Sequence, residues 1–73
     1  MRNPDRIDNF CKELAKIWKN NACDWRFGQL IINFETWVRI YKGIGDIFYI
    51  EEDVMMQHIN EFVKHMKGKY END

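Results

Sequence analysis

Apolar side chains recur along most of this chain at intervals of three and four, the spacing that gathers them on one face of an α-helix. The first run is Ile7, Phe10, Cys11, Leu14, Ile17 and Trp18, with Asp8, Lys12, Glu13, Lys16 and Lys19 between them. Asn3 suits a cap, Pro4 the first helical position, and Asp5 the positive end of the helix dipole. A helix is predicted over about 4–19, ended by Asn20-Asn21. The second run is Phe27, Leu30, Ile31, Phe34, Trp37, Val38 and Tyr41. It predicts a helix over about 25–42, with Asp24 as cap and Gly43 as stop. Ile32 and Ile40 fall on the opposite side, and a helix that is apolar on more than one face is either central or in contact with a partner.

Gly43 and Gly45 then mark a turn. Ile44, Ile47, Phe48, Tyr49 and Ile50 follow, a β-branched and aromatic run. A single strand would have no mate within the chain, so the run is expected as an extended connector laid over the helices. The second reading is a strand that pairs with its own copy in a homodimer. Glu51, Glu52 and Asp53 favour a helix start. Met55, Met56, Ile59, Phe62, Val63 and Met66 form the third stripe, predicting a helix over about 51–67 closed by Gly68, with a frayed tail. The expectation is all-α: one small three-helix domain with a structured apolar connector before the last helix.

Composition sharpens this picture. In 73 residues, 45% are hydrophobic, with three Trp, five Phe and three Tyr. A chain this short buries only about 60% of its unfolded surface. Eleven aromatics can fill a small core, or leave an apolar patch for a partner. The formal charge is −1, eleven basic against twelve acidic residues, and the signs interleave. That disfavours phosphate tracking. No apolar run approaches 18 residues and no leader pattern opens the chain, so the expectation is a cytosolic protein without a membrane span. Cys11 and Cys23 are then expected as free thiols, with Cys11 acting as a small hydrophobe on its helix.

Candidate chemistry is sparse. His58 and His65 stand seven residues apart, about 10 Å along a helix, too far to share one metal ion. They read as a solvated flank, with Glu61 and His65 as an i, i+4 pair. Asp46, Glu51, Glu52 and Asp53 concentrate negative charge without the spacing of a calcium loop. Arg26 or Arg6 is expected to reach back to this cluster, Arg26 bracing Asp46 or Glu51. No nucleophile–base set, phosphate-binding glycine loop or CxxC pair is present. Neither an enzyme, nor a cofactor, nor a metal site is expected. As a DNA reader the second helix would offer only Arg26, Arg39 and Lys42, beside Glu35 and Ile32, a poor match to a phosphate-tracking surface.

Several short motifs together resemble a group of short bacterial and phage proteins of unknown function. They are Pro4, Arg6 and Ile7; Trp18; Asp24, Arg26, Gly28, Gln29, Leu30, Ile31 and Asn33; and Asp46, Phe48, Tyr49, Glu51 and Asp53. Glu52 stands where that pattern carries Asp, and residues 34–45 are longer and more apolar than its usual bridge. The resemblance implies a compact helical fold and a phage or mobile-element origin, and attaches no catalysis.

The function expected is therefore a non-enzymatic protein-interaction protein that self-associates or caps a larger protein. An inhibitor of a host enzyme or defence system is what the resemblance adds. The residues expected at the partner surface are Trp25, Arg26, Gln29, Ile32, Trp37, Ile40 and Tyr49. Two alternatives compete: a DNA-binding regulator, and a small-ligand binder using Trp25, Trp37 and Tyr49 around Arg26 or Gln29.

Overall fold

Asn3 does start the first helix: its Oδ1 accepts the Asp5 N–H at 2.9 Å in the computed structural model, which describes residues 2–71, with side chains through 67. Helix α1 spans Asp5–Asn21. It runs past Lys19 because the Asn21 side chain donates to the Ile17 carbonyl at 2.8 Å and the Ala22 N–H reaches the Trp18 carbonyl at 2.9 Å. Carbonyls that would otherwise be orphaned at the helix end are thereby satisfied.

Helix α2 spans Phe27–Lys42. Asp24 is not its cap. Asp24 lies in the turn, and the chain enters the helix from Arg26, whose backbone is extended. Gln29 Oε1 turns back to accept the Arg26 N–H at 2.7 Å, the returning half of a capping box. Gly43 ends α2 with φ +68°, the left-handed conformation that glycine adopts without a Cβ penalty, and the Ile44 N–H returns to the Val38 carbonyl.

The connector is not extended, and no strand is present among the described residues. Ile47–Tyr49 form one 3-10 turn. Asp46 Oδ1 accepts the Phe48 N–H at 2.9 Å, and the Ile50 N–H bonds to the Ile47 carbonyl at 3.2 Å. With no strand alongside, the local turn is what satisfies these backbone groups. Helix α3 then spans Glu52–Glu71, continuing through Gly68 rather than stopping there. Only the last two residues of the expected frayed tail lie outside the described residues.

Helix α3 packs against both α1 and α2. The buried core is Ile17 from α1, Leu30, Phe34, Trp37 and Val38 from α2, and Ile59 and Phe62 from α3. Helix α1 thus completes its seal only near its C-terminal end. Phe10, Leu14 and Trp18 are half-buried, whereas Ile7 and Cys11 are exposed. Cys11 and Cys23 are free thiols as expected, but Cys11, expected to act as a small hydrophobe on its helix, is exposed, as is Cys23. The Cα radius of gyration, 12.7 Å, exceeds the roughly 11 Å of a compact chain of this length. The three helices form an open arrangement.

Ion pairs pin the ends of this arrangement. Arg2 meets Glu51 and Arg6 meets Glu52, each at 2.5 Å, tying the start of α1 to the start of α3. Lys42, at the end of α2, pairs with Glu61 in the middle of α3. The acidic cluster is therefore braced by Arg6 and Arg2. Arg26, expected to do this, is exposed and reaches no acidic side chain.

Candidate interaction surface

Because α1 and α2 both lean on α3, a groove opens between them with α3 as its floor. Ile7, Phe10 and Leu14 line one wall, Phe27 and Ile31 the other, and Met55 and Ile59 the base. Its volume is about 340 Å³. The charged side chains on its lining, Arg6 and Glu52, are already neutralised on one another. The groove is therefore apolar along its length with one closed ion pair at its mouth. It lacks the convergent polar groups that orient a small ligand.

Ile7 is 50% exposed and Phe27 53% exposed, although both belong to stripes whose spacing points inward. Each lies on a wall of the groove, where the facing helix stands off and leaves it uncovered. Phe27 does make one contact across the gap, with its ring centroid 5.8 Å from that of Trp18.

Two further apolar surfaces lie outside the groove. Ile32 and Ile40 are 59% and 67% exposed. Helical spacing sets them, with Thr36, on the side of α2 opposite Leu30, Phe34 and Trp37. On the connector, Phe48 and Tyr49 are 79% and 81% exposed and touch edge to face, their ring centroids 4.9 Å apart. Ile47, their neighbour, turns inward onto the core.

The seven residues expected at a partner surface are therefore scattered. Ile32, Ile40 and Tyr49 are exposed as expected. Trp37 is only 8% exposed, a core residue packed against Phe62 and stacked on Tyr41. Trp25 is half-buried: its carbonyl accepts the Trp18 indole N–H at 3.1 Å and its ring lies 6.4 Å from that of Phe62. Arg26 and Gln29 are exposed, and Gln29 serves as the cap of α2. Trp25, Trp37 and Tyr49 do not come together around Arg26 or Gln29. What the sequence pattern did not single out is Phe48, Ile7 and Phe27. Phe48 was visible only as part of an apolar run, and the other two only as stripe members.

The histidines are not a solvated flank. His65 packs its ring 4.6 Å from Tyr41 and 6.1 Å from Trp37, and His58 is half-buried with an unpartnered Nδ1. Glu61 belongs to Lys42 rather than to His65. The hydrogen bond from Lys42 holds its carboxyl below the usual value; loss of solvent around the carboxyl opposes this, and the charges of Lys42, His58 and Lys64 each add a lesser lowering. Among the described residues, no three His, Cys, Asp or Glu side chains gather as metal ligands, and no helix is long and apolar enough to cross a membrane.

No protein-family model matches the chain, and no curated protein or solved structure matches it either. The class it can be assigned on structure is a small all-α domain of three helices with an open apolar groove.

Proposed function

We propose that this chain is a non-enzymatic protein-interaction domain, whose partner is another protein, a second copy of itself, or both. The supporting observation is the amount of apolar side chain that three helices leave uncovered: the groove walls, the Ile32–Ile40 side of α2, and the Phe48–Tyr49 pair. Exposed apolar patches of this kind mark interfaces. The near-neutral charge, with the groove's own ion pair closed, favours a protein over a phosphate backbone. A cytosolic location is part of the proposal. An origin in a phage or mobile element, with inhibition of a host enzyme or defence system, rests on the motif resemblance alone.

Capture on the immobilised chain tests the reading. The wild type is compared with the double substitution Ile32→Glu/Ile40→Glu, which removes outward-facing apolar groups only. A partner retained by the wild type and lost by a variant that melts normally is the expected result. A DNA shift that weakens steeply with salt, with no protein retained, would move the assignment to a nucleic-acid binder.

A further inference from the structure

Among the surfaces left uncovered, the Phe48–Tyr49 turn and the groove between α1 and α2 are of matching size. The Phe48–Tyr49 turn is a two-ring knob, and the groove between α1 and α2 is a two-ring socket. An apolar cavity of about 150 Å³ accepts one benzene. The groove, at about 340 Å³, has room for two rings. The knob also stands beside the socket. Tyr49 precedes Glu52 by three residues, so chain length keeps it within about 11 Å of the groove mouth where Glu52 meets Arg6. A projection lying next to a complementary hollow suits a two-fold dimer, because each copy then offers and receives the same contact.

We infer that the groove is filled by a second copy of this chain, in a reciprocal dimer where Phe48 and Tyr49 of each protomer enter the groove of the other. Phe48 meets the Ile7, Phe27 and Met55 walls. Tyr49 follows it, which leaves its hydroxyl at the polar mouth beside the Arg6–Glu52 pair. The area is sufficient. Each ring is about four-fifths exposed, so it brings roughly 160 Å² into the contact. Two knobs and the walls they cover amount to roughly 1,200 Å², the lower bound for a stable specific interface. The inference rests on the interaction reading above and is narrower than it.

Sedimentation equilibrium of the full chain, across a range reaching several hundred micromolar, is the test. The expected result is a monomer–dimer equilibrium. Phe48→Ala/Tyr49→Ala, which alters only exposed rings, should weaken it by at least about tenfold while the melting temperature holds. Ile7→Glu, on the opposite side of the same contact, should do likewise. A wild type that stays monomeric throughout overturns the reciprocal dimer and leaves the broader interaction reading standing, with a different protein in the groove. A dimer that survives Phe48→Ala/Tyr49→Ala also overturns it, and assigns self-association to another face. The two-ring substitution decides the matter even if Ile7→Glu fails to fold, since it touches no buried group.

Discussion

Trp18 and Trp37 do different work, and the difference is in where each indole N–H goes. Trp18 donates to the Trp25 carbonyl across the α1–α2 turn, whereas the Trp37 N–H is buried and has no acceptor. Replacing Trp18 by Phe removes a bond and leaves a carbonyl behind, which should cost about 1 kcal/mol in addition to lost ring contact. Trp18→Ala should cost about 2–3 kcal/mol, less than a fully buried indole, because Trp18 is half-buried. Trp37→Phe loses comparable ring area but also removes an unsatisfied donor, so the two effects oppose and the change should stay within about 1 kcal/mol. Urea denaturation of the two Trp→Phe variants compares them directly. Equal losses would mean that the indole N–H groups carry no weight. Phe62 touches Trp25, Phe34 and Trp37 and is nearly inaccessible, so Phe62→Ala should cost about 3–5 kcal/mol and unfold much of the population.

Between elements, ion pairs at the edges hold three helices that do not close on one another. Arg6 and Glu52 are each about one-third exposed, so their pairing is worth about 0.5–1 kcal/mol. A double-mutant cycle on Arg6→Ala and Glu52→Ala should show that coupling, while Arg26→Ala should shift stability by no more than about 0.5 kcal/mol. The Lys42–Glu61 pair ties α2 to α3 in a pH-dependent way. The Glu61 carboxyl is held below its usual value, chiefly by the hydrogen bond from Lys42. Its contribution is therefore fully present above the unfolded-state pKa and is lost as pH falls through the lower folded-state value. In stability measurements from about pH 7 to about pH 2.5, the gap between wild type and Glu61→Gln should narrow as the solution becomes acidic. A gap that stays constant would show that Lys42 does not hold the carboxylate.

At the scale of the whole molecule, the open arrangement is what creates the candidate surface. Helix α3 serves two helices, so the apolar faces of α1 and α2 meet α3 at their inner edges and leave a groove at their outer ones. The outward stripe of α2 is independent of that groove. Ile32→Glu and Ile40→Glu should therefore leave thermal stability within about 0.5 kcal/mol of wild type. Thermal melts check this, and a large loss would mean that these side chains are covered within the folded chain.

Periodicity was sufficient for the helices and for most of the core. Leu30, Phe34, Trp37, Ile59 and Phe62 are buried because a helix of spacing 3.6 with one apolar face must cover that face, and a partner stripe of equal length is available. Local chemistry also announced where α1 begins and where α2 ends, at Asn3 and Gly43. The candidate surface depended on relations that no local pattern contains. Phe27 and Ile7 have the same spacing as buried neighbours, yet they are half-exposed because they fall on the walls of the groove that α1 and α2 leave between them. By sequence, Arg26 or Arg6 can be expected to reach the acidic cluster, with Arg26 the one favoured. The choice fell to Arg6 because α1 and α3 begin side by side, whereas Arg26 follows the C-terminal end of α1. The Ile47–Ile50 run had the composition of a strand and became a capped turn, since an extended segment needs a neighbouring strand to satisfy its backbone and the fold supplies none. Spacing along a helix specifies which side chains share a face, but only the packing of one helix on another decides how much of that face is covered.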